Sequence, residues 1–346
     1  MFDIIYVQGE LKMDVLEKRK IENLISLLED NYTVTRLYAD YLSLHPTAIK
    51  AEYVDGLSEG GLDKESCIVA LLCEIFGIDM SRSQRERVLV REYLYKSVRI
   101  LDSKRYTGNK YYQNIHIPDV KDGRWELKWQ TYPAYRAFIA GDMIIKDNLR
   151  EIPPLGFFAE DFSFPAVLED GNEWMTLTPV DLDTSEEAIA KARGRVLTLG
   201  LGLGYFTYMA SEKHEVESVT VVELSEDVIR LFNTYLLPQF PNAHKIKIIK
   251  GDAIAYAEEQ MANEGYDFVF ADTWRDASDG EPMYRRLKAC EERCPCTEFC
   301  YWIENFLISR VRAITFGEML DRATEEKPYG VESYAELWQG LTEFKY

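Results

Sequence analysis

Long apolar runs are missing from this 346-residue chain. No stretch approaches the roughly 20 apolar residues that a membrane-spanning helix needs. The opening, MFDIIYVQGELKMD, lacks the basic start and apolar core of a signal peptide. Cysteine is scarce, with six residues of which four crowd into 290–300, and this excludes a disulfide framework. These absences predict a cytoplasmic protein with reduced thiols. Positive charge is also in deficit: 40 Lys and Arg stand against 59 Asp and Glu, a formal net charge of −19. Such a surface repels phosphate backbones and anionic lipid, so neither nucleic acid nor membrane is an expected partner. A small neutral or cationic molecule suits it better, with a homodimer as an option. What the chain does have is core material, 47% hydrophobic and 13% aromatic. That is a folded composition, long enough for about two domains.

The texture changes twice along the chain. Residues 1–110 read as a mostly helical domain, with helical apolar spacing over DVLEKRKIENLISLLED (14–30), LDKESCIVALLCEIFGI (62–78) and SRSQRERVLVREYLYKSVRIL (81–101). Residues 111–182 are rich in aromatics and Pro, and AVLEDGNEWMTLT (166–178) predicts a β-hairpin around Asp170-Gly171. From 183 to 346 strand and helix alternate. Helices are expected at 183–194, 205–213, 225–237 and 253–263, and strands at 195–200, 218–223, 245–252 and 266–272. Short links between such elements argue for a parallel, doubly wound sheet.

The first of these strands runs into GLGLG (200–204) and then a helix. Glycines there let the backbone turn tightly and let a ligand approach main-chain N–H groups. Glu223 closes the second strand, where a carboxylate can hold both hydroxyls of a ribose. Gly251-Asp252 closes the third, in reach of an adenine amino group. A dinucleotide loop would need a third glycine at 205 or 207, and these are Tyr205 and Thr207. The ordered set VLTLGLGLGYFTYMAS (196–211), VTVVELSEDVI (219–229), IIKGDAIAYA (248–257) and YDFVFADTW (266–274) resembles class I S-adenosylmethionine (SAM)-dependent methyltransferases, their spermidine-synthase-like branch above all. The resemblance covers residues 183–310. It implies an α/β fold with a doubly wound, Rossmann-like class I methyltransferase sheet, preceded by the helical domain and the hairpin region.

The resemblance also implies roles. Gly200, Gly202 and Gly204 would run beside the amino-acid part of SAM, Glu223 would hold the ribose, and Asp252 with the Ala253 backbone would hold adenine. Within NEWMTLTP (172–179), Trp174, Met175 and Thr178 match a segment that closes over the nucleoside sulfur, with Thr178 offering a hydroxyl to the cofactor; they equally suit the core of the hairpin, Met175 above all. DTWRDASDGEPMY (272–284) follows the fourth strand. Asp272 and Asp276 are the expected catalytic acids, orienting an amine or taking its proton. Trp274 and Asp279 are the expected substrate contacts, since carboxylates beside an indole suit an ammonium group. Asp279 and Glu281 equally suit a helix cap near Pro282.

Two positions depart from the pattern. Thr198 stands where methyltransferases usually carry an acid, and Leu203 stands where aminopropyltransferases carry an aspartate. The second loss weighs more, because an apolar side chain cannot pair with an aminopropyl ammonium. The implied activity is methyl transfer from SAM to a small, amine-bearing molecule. Its rivals are an aminopropyltransferase using decarboxylated SAM and a non-catalytic nucleoside-binding protein with an N-terminal interaction module. The D/N-P-P-Y signature of base methylation is absent.

The crowded cysteines, CEERCPCTEFC, fall at the end of the helix expected over 282–294 and the start of a fifth strand expected over 297–304. Cys290 and Cys294 would share the helix, Cys296 the turn, and Cys300 would lie about 13 Å of extended chain beyond Cys296. No metal is assigned to them, because zinc sites favour C-x2-C knuckles on short loops.

Overall fold

The computed structural model describes residues 15–325 and 327–343. Its centre is a five-stranded sheet: β1 (Gly194–Leu199), β2 (Val216–Glu223), β3 (Ile246–Lys250), β4 (Phe268–Ala271) and β5 (Glu298–Tyr301). All four pairings are parallel and the order is β3-β2-β1-β4-β5. Alternate side chains of one strand enter different cores. Val196, Val219, Val221, Phe268 and Phe270 pack with helices Pro179–Lys191 and Tyr205–Ser211 and with Val228, Leu231 and Phe232. Leu197, Leu199, Val222, Val269 and Ala271 pack instead with Ala253, Ile254, Tyr284, Leu287 and Leu307. Helices therefore cover both faces, which is why these strands read as unbroken apolar runs. The strand order reverses between β1 and β4, and in open parallel sheets the crevice beside such a reversal receives ligands.

Two helices of this region begin earlier than the spacing predicts. The one expected at 183 starts at Pro179, because Asp181 accepts from both the N–H and the hydroxyl of Thr178 in a capping box, with proline in the first turn. The one expected near Pro282 starts at Ala277, capped by Asp276 and Asp279, so Pro282 lies inside helix Ala277–Glu291.

The cysteines divide between the two faces. Cys290 and Cys294 belong to the core under helix Ala277–Glu291, Cys300 on β5 packs against the opposite core, and Cys296 is exposed in the turn.

Ahead of the sheet, helix Val15–Leu44 is much longer than the expected 14–30, and a helix at Ala51–Glu59 adds to those at Lys64–Phe76 and Gln84–Val88. Val98–Leu101, expected as the end of a helix, is a strand paired in parallel with Leu155–Phe158. That pairing crosses the boundary expected at residue 110. A four-stranded antiparallel sheet follows, ending in Phe162–Glu169 and Asn172–Thr176. They turn at Asp170 (φ 50°) and Gly171 (φ 80°), both left-handed as a tight hairpin requires.

The last helices return to the first. Met319, Leu337 and Leu341 of helices Glu304–Asp321 and Tyr334–Thr342 form one core with Ile21 and Leu24. Arg312 of the former pairs with buried Glu151 at 3.0 Å. The segment 304–343 thus packs on the N-terminal helices as well as on the sheet. No helix among the described residues is long and apolar enough to cross a membrane.

Candidate functional site

The chain leaves β1 at Leu199 and turns through Gly200, Gly202 and Gly204, whose φ values are 102°, 52° and 76°. All three are left-handed, but for different reasons. A Cβ on Gly200 would stand 1.8 Å from the Asp272 carbonyl oxygen, and one on Gly204 would stand 2.3 Å from the Phe232 ring. These two glycines let the ends of β1 and β4 and the helix after β2 close upon the loop. On Gly202 a Cβ would meet only the flexible Met175 side chain, at 3.1–3.5 Å. Of the three, Gly202 is the one whose open side is covered by the hairpin strand rather than by fixed backbone or ring.

Carboxylates gather around this loop. Glu223, at the end of β2, accepts from the Leu201 N–H at 3.1 Å and the Ser225 N–H at 2.8 Å. Burial pushes its pKa up against those hydrogen bonds. Asp272, at the end of β4, has no hydrogen bond to its carboxylate from any described residue, while its backbone N–H donates to the Leu199 carbonyl. Burial, and then the charges of Asp181 and Glu223, raise its pKa to about 8. Asp181 is buried and raised to about 6 by that burial, opposed by its bonds from Thr178. Among the described residues none of the three is ion-paired. Asp252 is an exposed cap that accepts from the Ala255 N–H at 2.8 Å, and Ala253 is buried behind it.

The two unusual positions, one on β1 and one in the loop, are turned to structural use. Thr198 is buried and its hydroxyl donates to the Gly200 carbonyl at 3.2 Å. Leu203 is fully buried in the core, and its carbonyl accepts from the Tyr111 hydroxyl at 2.5 Å. Thr178, expected to meet the cofactor, donates to Asp181 at 2.8 Å and begins a helix.

The residues after β4 split apart. Asp276 accepts from the Ser278 N–H at 2.6 Å, and Asp279 accepts from the Asp276 N–H at 2.9 Å. Burial raises the Asp276 pKa, but bonds from Ser278 outweigh it and the net shift is downward, which makes a poor proton acceptor. The structure thus makes Asp276 and Asp279 a reciprocal cap. Trp274 is 6% exposed, stacked 6.4 Å from Tyr301, with helix Ala277–Glu291 pressed so close that a Cβ on Gly280 would lie 2.6 Å from its ring. It is core rather than an open cation platform, and its indole N–H has no partner among the described residues. Trp174 is half-exposed, edge-on to Trp125 at 5.2 Å.

Sequence reasoning passed over Asp181, although T-P-V-D is a capping-box pattern that marks it. It also passed over a cavity of about 290 Å³ beside β5, lined by Asp142, Asp183, Glu187, Lys191, Cys300 and Glu304. No local signal brings Asp142 there. It is held by the Asn305 and Phe306 N–H groups at 2.9 and 3.0 Å, from more than 160 residues away.

No family model and no curated protein matches the sequence. Among solved structures, the chain is similar to spermidine synthase from Thermotoga maritima, with 16% identity over 44% of this chain and 56% of that one, TM-score 0.30. It is also similar to a conserved hypothetical protein of Streptococcus pyogenes, with 19% identity over 29% of this chain and 60% of that one, TM-score 0.24. The chain spans less than two thirds of either. The strand order, not these likenesses, defines the fold.

Proposed function

We propose that the chain binds SAM at the Gly200–Gly204 loop and methylates a small, amine-bearing molecule. The observation that carries this reading is Asp272: a carboxylate at the sheet's reversal point, without a protein hydrogen bond or cation among the described residues, and raised to about 8. A cationic ligand would relieve it and restore the carboxylate form, which can then accept a proton from an amine. Glu223 fits a ribose, since each of its oxygens accepts one backbone N–H and keeps a lone pair for a hydroxyl. Met175 lies over Gly202, where the hairpin can exclude water. When bound, SAM supplies an activated methyl group. The protein's part is to align the amine, exclude water and take up its proton at the Asp272 carboxylate. Fully buried Leu203 favours methyl over aminopropyl transfer, because it offers no charge to an aminopropyl chain.

Isothermal titration tests the site: SAM binding should be abolished by Gly202→Trp and weakened about tenfold or more by Glu223→Ala. Undiminished binding in both variants, or none to the unaltered protein, overturns it. Mass spectrometry of amine products then tests the reaction. Methylthioadenosine released from decarboxylated SAM and putrescine, without any methylated amine, would reassign the activity to aminopropyl transfer.

A further inference from the structure

Asp181 is the third residue of helix Pro179–Lys191 and is 9% exposed. Its Oδ2 takes both bonds from Thr178, at 2.7 and 2.8 Å, and Oδ1 receives none from another described residue. Two adjacent tyrosines fix where it stands. The Tyr111 hydroxyl donates to the Leu203 carbonyl at 2.5 Å, and the Tyr112 hydroxyl donates to the Leu177 carbonyl at 2.7 Å. One dipeptide therefore holds the glycine loop and the turn at Leu177–Asp181 side by side. Met175, six residues before Asp181, already rests on Gly202. The turn thus brings a buried carboxylate towards a loop where neither Thr198, on the strand before it, nor Leu203, within it, carries a charge.

We propose that Asp181 is the ammonium-binding residue of this site, pairing through Oδ1 with the α-amino group of the amino-acid chain carried on the nucleoside sulfur. The inference rests on the reading of the loop as a SAM site, and it names which acid replaces the one missing at Thr198. A carboxylate nine-tenths buried, near enough to Asp272 for its charge to be felt there and without an ion pair among the described residues, is costly to keep charged unless a cation joins it. The ligand's ammonium is such a cation, and the pairing selects nucleosides that carry an amine over those that do not.

The test uses two thioethers without a sulfonium charge that differ only in that amine: S-adenosylhomocysteine, a zwitterion, and its deaminated analogue, 5′-S-(3-carboxypropyl)thioadenosine, an anion. Both are titrated calorimetrically into the full chain and into Asp181→Asn. The Asn carbonyl still accepts from Thr178, so the cap and the fold are retained. The amine-bearing ligand should bind the unaltered protein more tightly than its analogue, by roughly 10- to 100-fold, as for a charge-assisted hydrogen bond. In Asp181→Asn that preference should collapse to within about twofold, with affinity for the anionic analogue not reduced. Equal losses for both ligands, or a preference that survives, overturns the proposal. Should Asp181→Asn lack a cooperative melt, Asp181→Glu is read in the same way, since it keeps the charge but displaces it; an unaltered preference there also overturns it. Failure of the site reading looks different, because neither nucleoside would then bind the unaltered protein.

Discussion

The Glu223 carboxylate accepts a hydrogen bond from the Leu201 N–H at 3.1 Å, so the acid closing β2 also braces the glycine loop that leaves β1. Losing that acceptor should therefore cost stability as well as affinity. Glu223→Ala leaves the Leu201 and Ser225 N–H groups without their acceptor and is expected to destabilise the fold by about 1–3 kcal/mol. Glu223→Gln keeps an acceptor oxygen and should destabilise less. Urea denaturation of both variants, at one neutral pH, reads the difference. Equal stabilities would mean that the brace contributes nothing.

The three loop glycines should differ sharply when replaced by alanine. Gly200→Ala and Gly204→Ala would place a Cβ 1.8 Å from backbone and 2.3 Å from an aromatic ring. Both should lose several kcal/mol or fail to fold. Gly202→Ala meets only Met175 and should lose about 1–2 kcal/mol, the cost of a left-handed non-glycine residue. Denaturation midpoints check the order: a Gly202→Ala loss as large as the other two would show that the loop is packed differently there.

The parallel sheet was legible in the sequence because strands buried on both faces must be apolar throughout, and turn residues bound them closely. The acids at the strand ends followed from that, since a doubly wound order brings the ends of β1, β2 and β4 to one crevice. What was not legible depended on distant partners. Val98–Leu101 carries helical spacing from the segment before it, yet becomes a strand because Leu155–Phe158 lies alongside. Asp276 reads as chemistry because it follows Asp272, and Asp279 as either chemistry or a cap; D-x-x-D at that spacing is also a capping box, and the structure uses it as one. Asp181 was missed for the converse reason: its cap is legible, but its neighbourhood with Asp272 needs the fold.

The link from Arg312 to Glu151 joins the helix after β5 to the short strand Glu151–Ile152, and its removal should be costly. Arg312 donates to Glu151 at 3.0 Å and to the Leu341 carbonyl at 2.9 Å, while the Ser309 hydroxyl donates to Glu151 at 2.6 Å. Both partners are buried. Arg312→Ala strands a buried carboxylate and is expected to destabilise by about 3–5 kcal/mol. The double variant Glu151→Gln with Arg312→Met should recover part of that loss, because no isolated charge remains. A double-mutant cycle by denaturation measures it; additive losses would contradict a coupled pair.

Asp272 sets the sign of the pH dependence. Its pKa is raised to about 8 and that of Asp181 to about 6, both well above the value of an aspartate in an unfolded chain. The folded state therefore holds protons that the unfolded state has released. The stability these acids contribute is full below about pH 4 and is lost as pH rises through 6 and then 8. Without ligand, the melting temperature should fall across that window. Asp272→Asn removes the titration nearest pH 8, so it should flatten the upper part of the fall and melt higher than the unaltered protein at pH 8. The same variant should lose amine methylation by about a hundredfold or more, as expected when a positioned proton acceptor is removed. A melting temperature that rises between pH 6 and 8, or an Asp272→Asn variant less stable at pH 8, would show that the carboxylate is already compensated. A cation bound beside Asp272 lowers its pKa, so stabilisation by SAM should grow as pH rises from 6 to 8, and thermal shifts recorded at both pH values with and without SAM measure that growth.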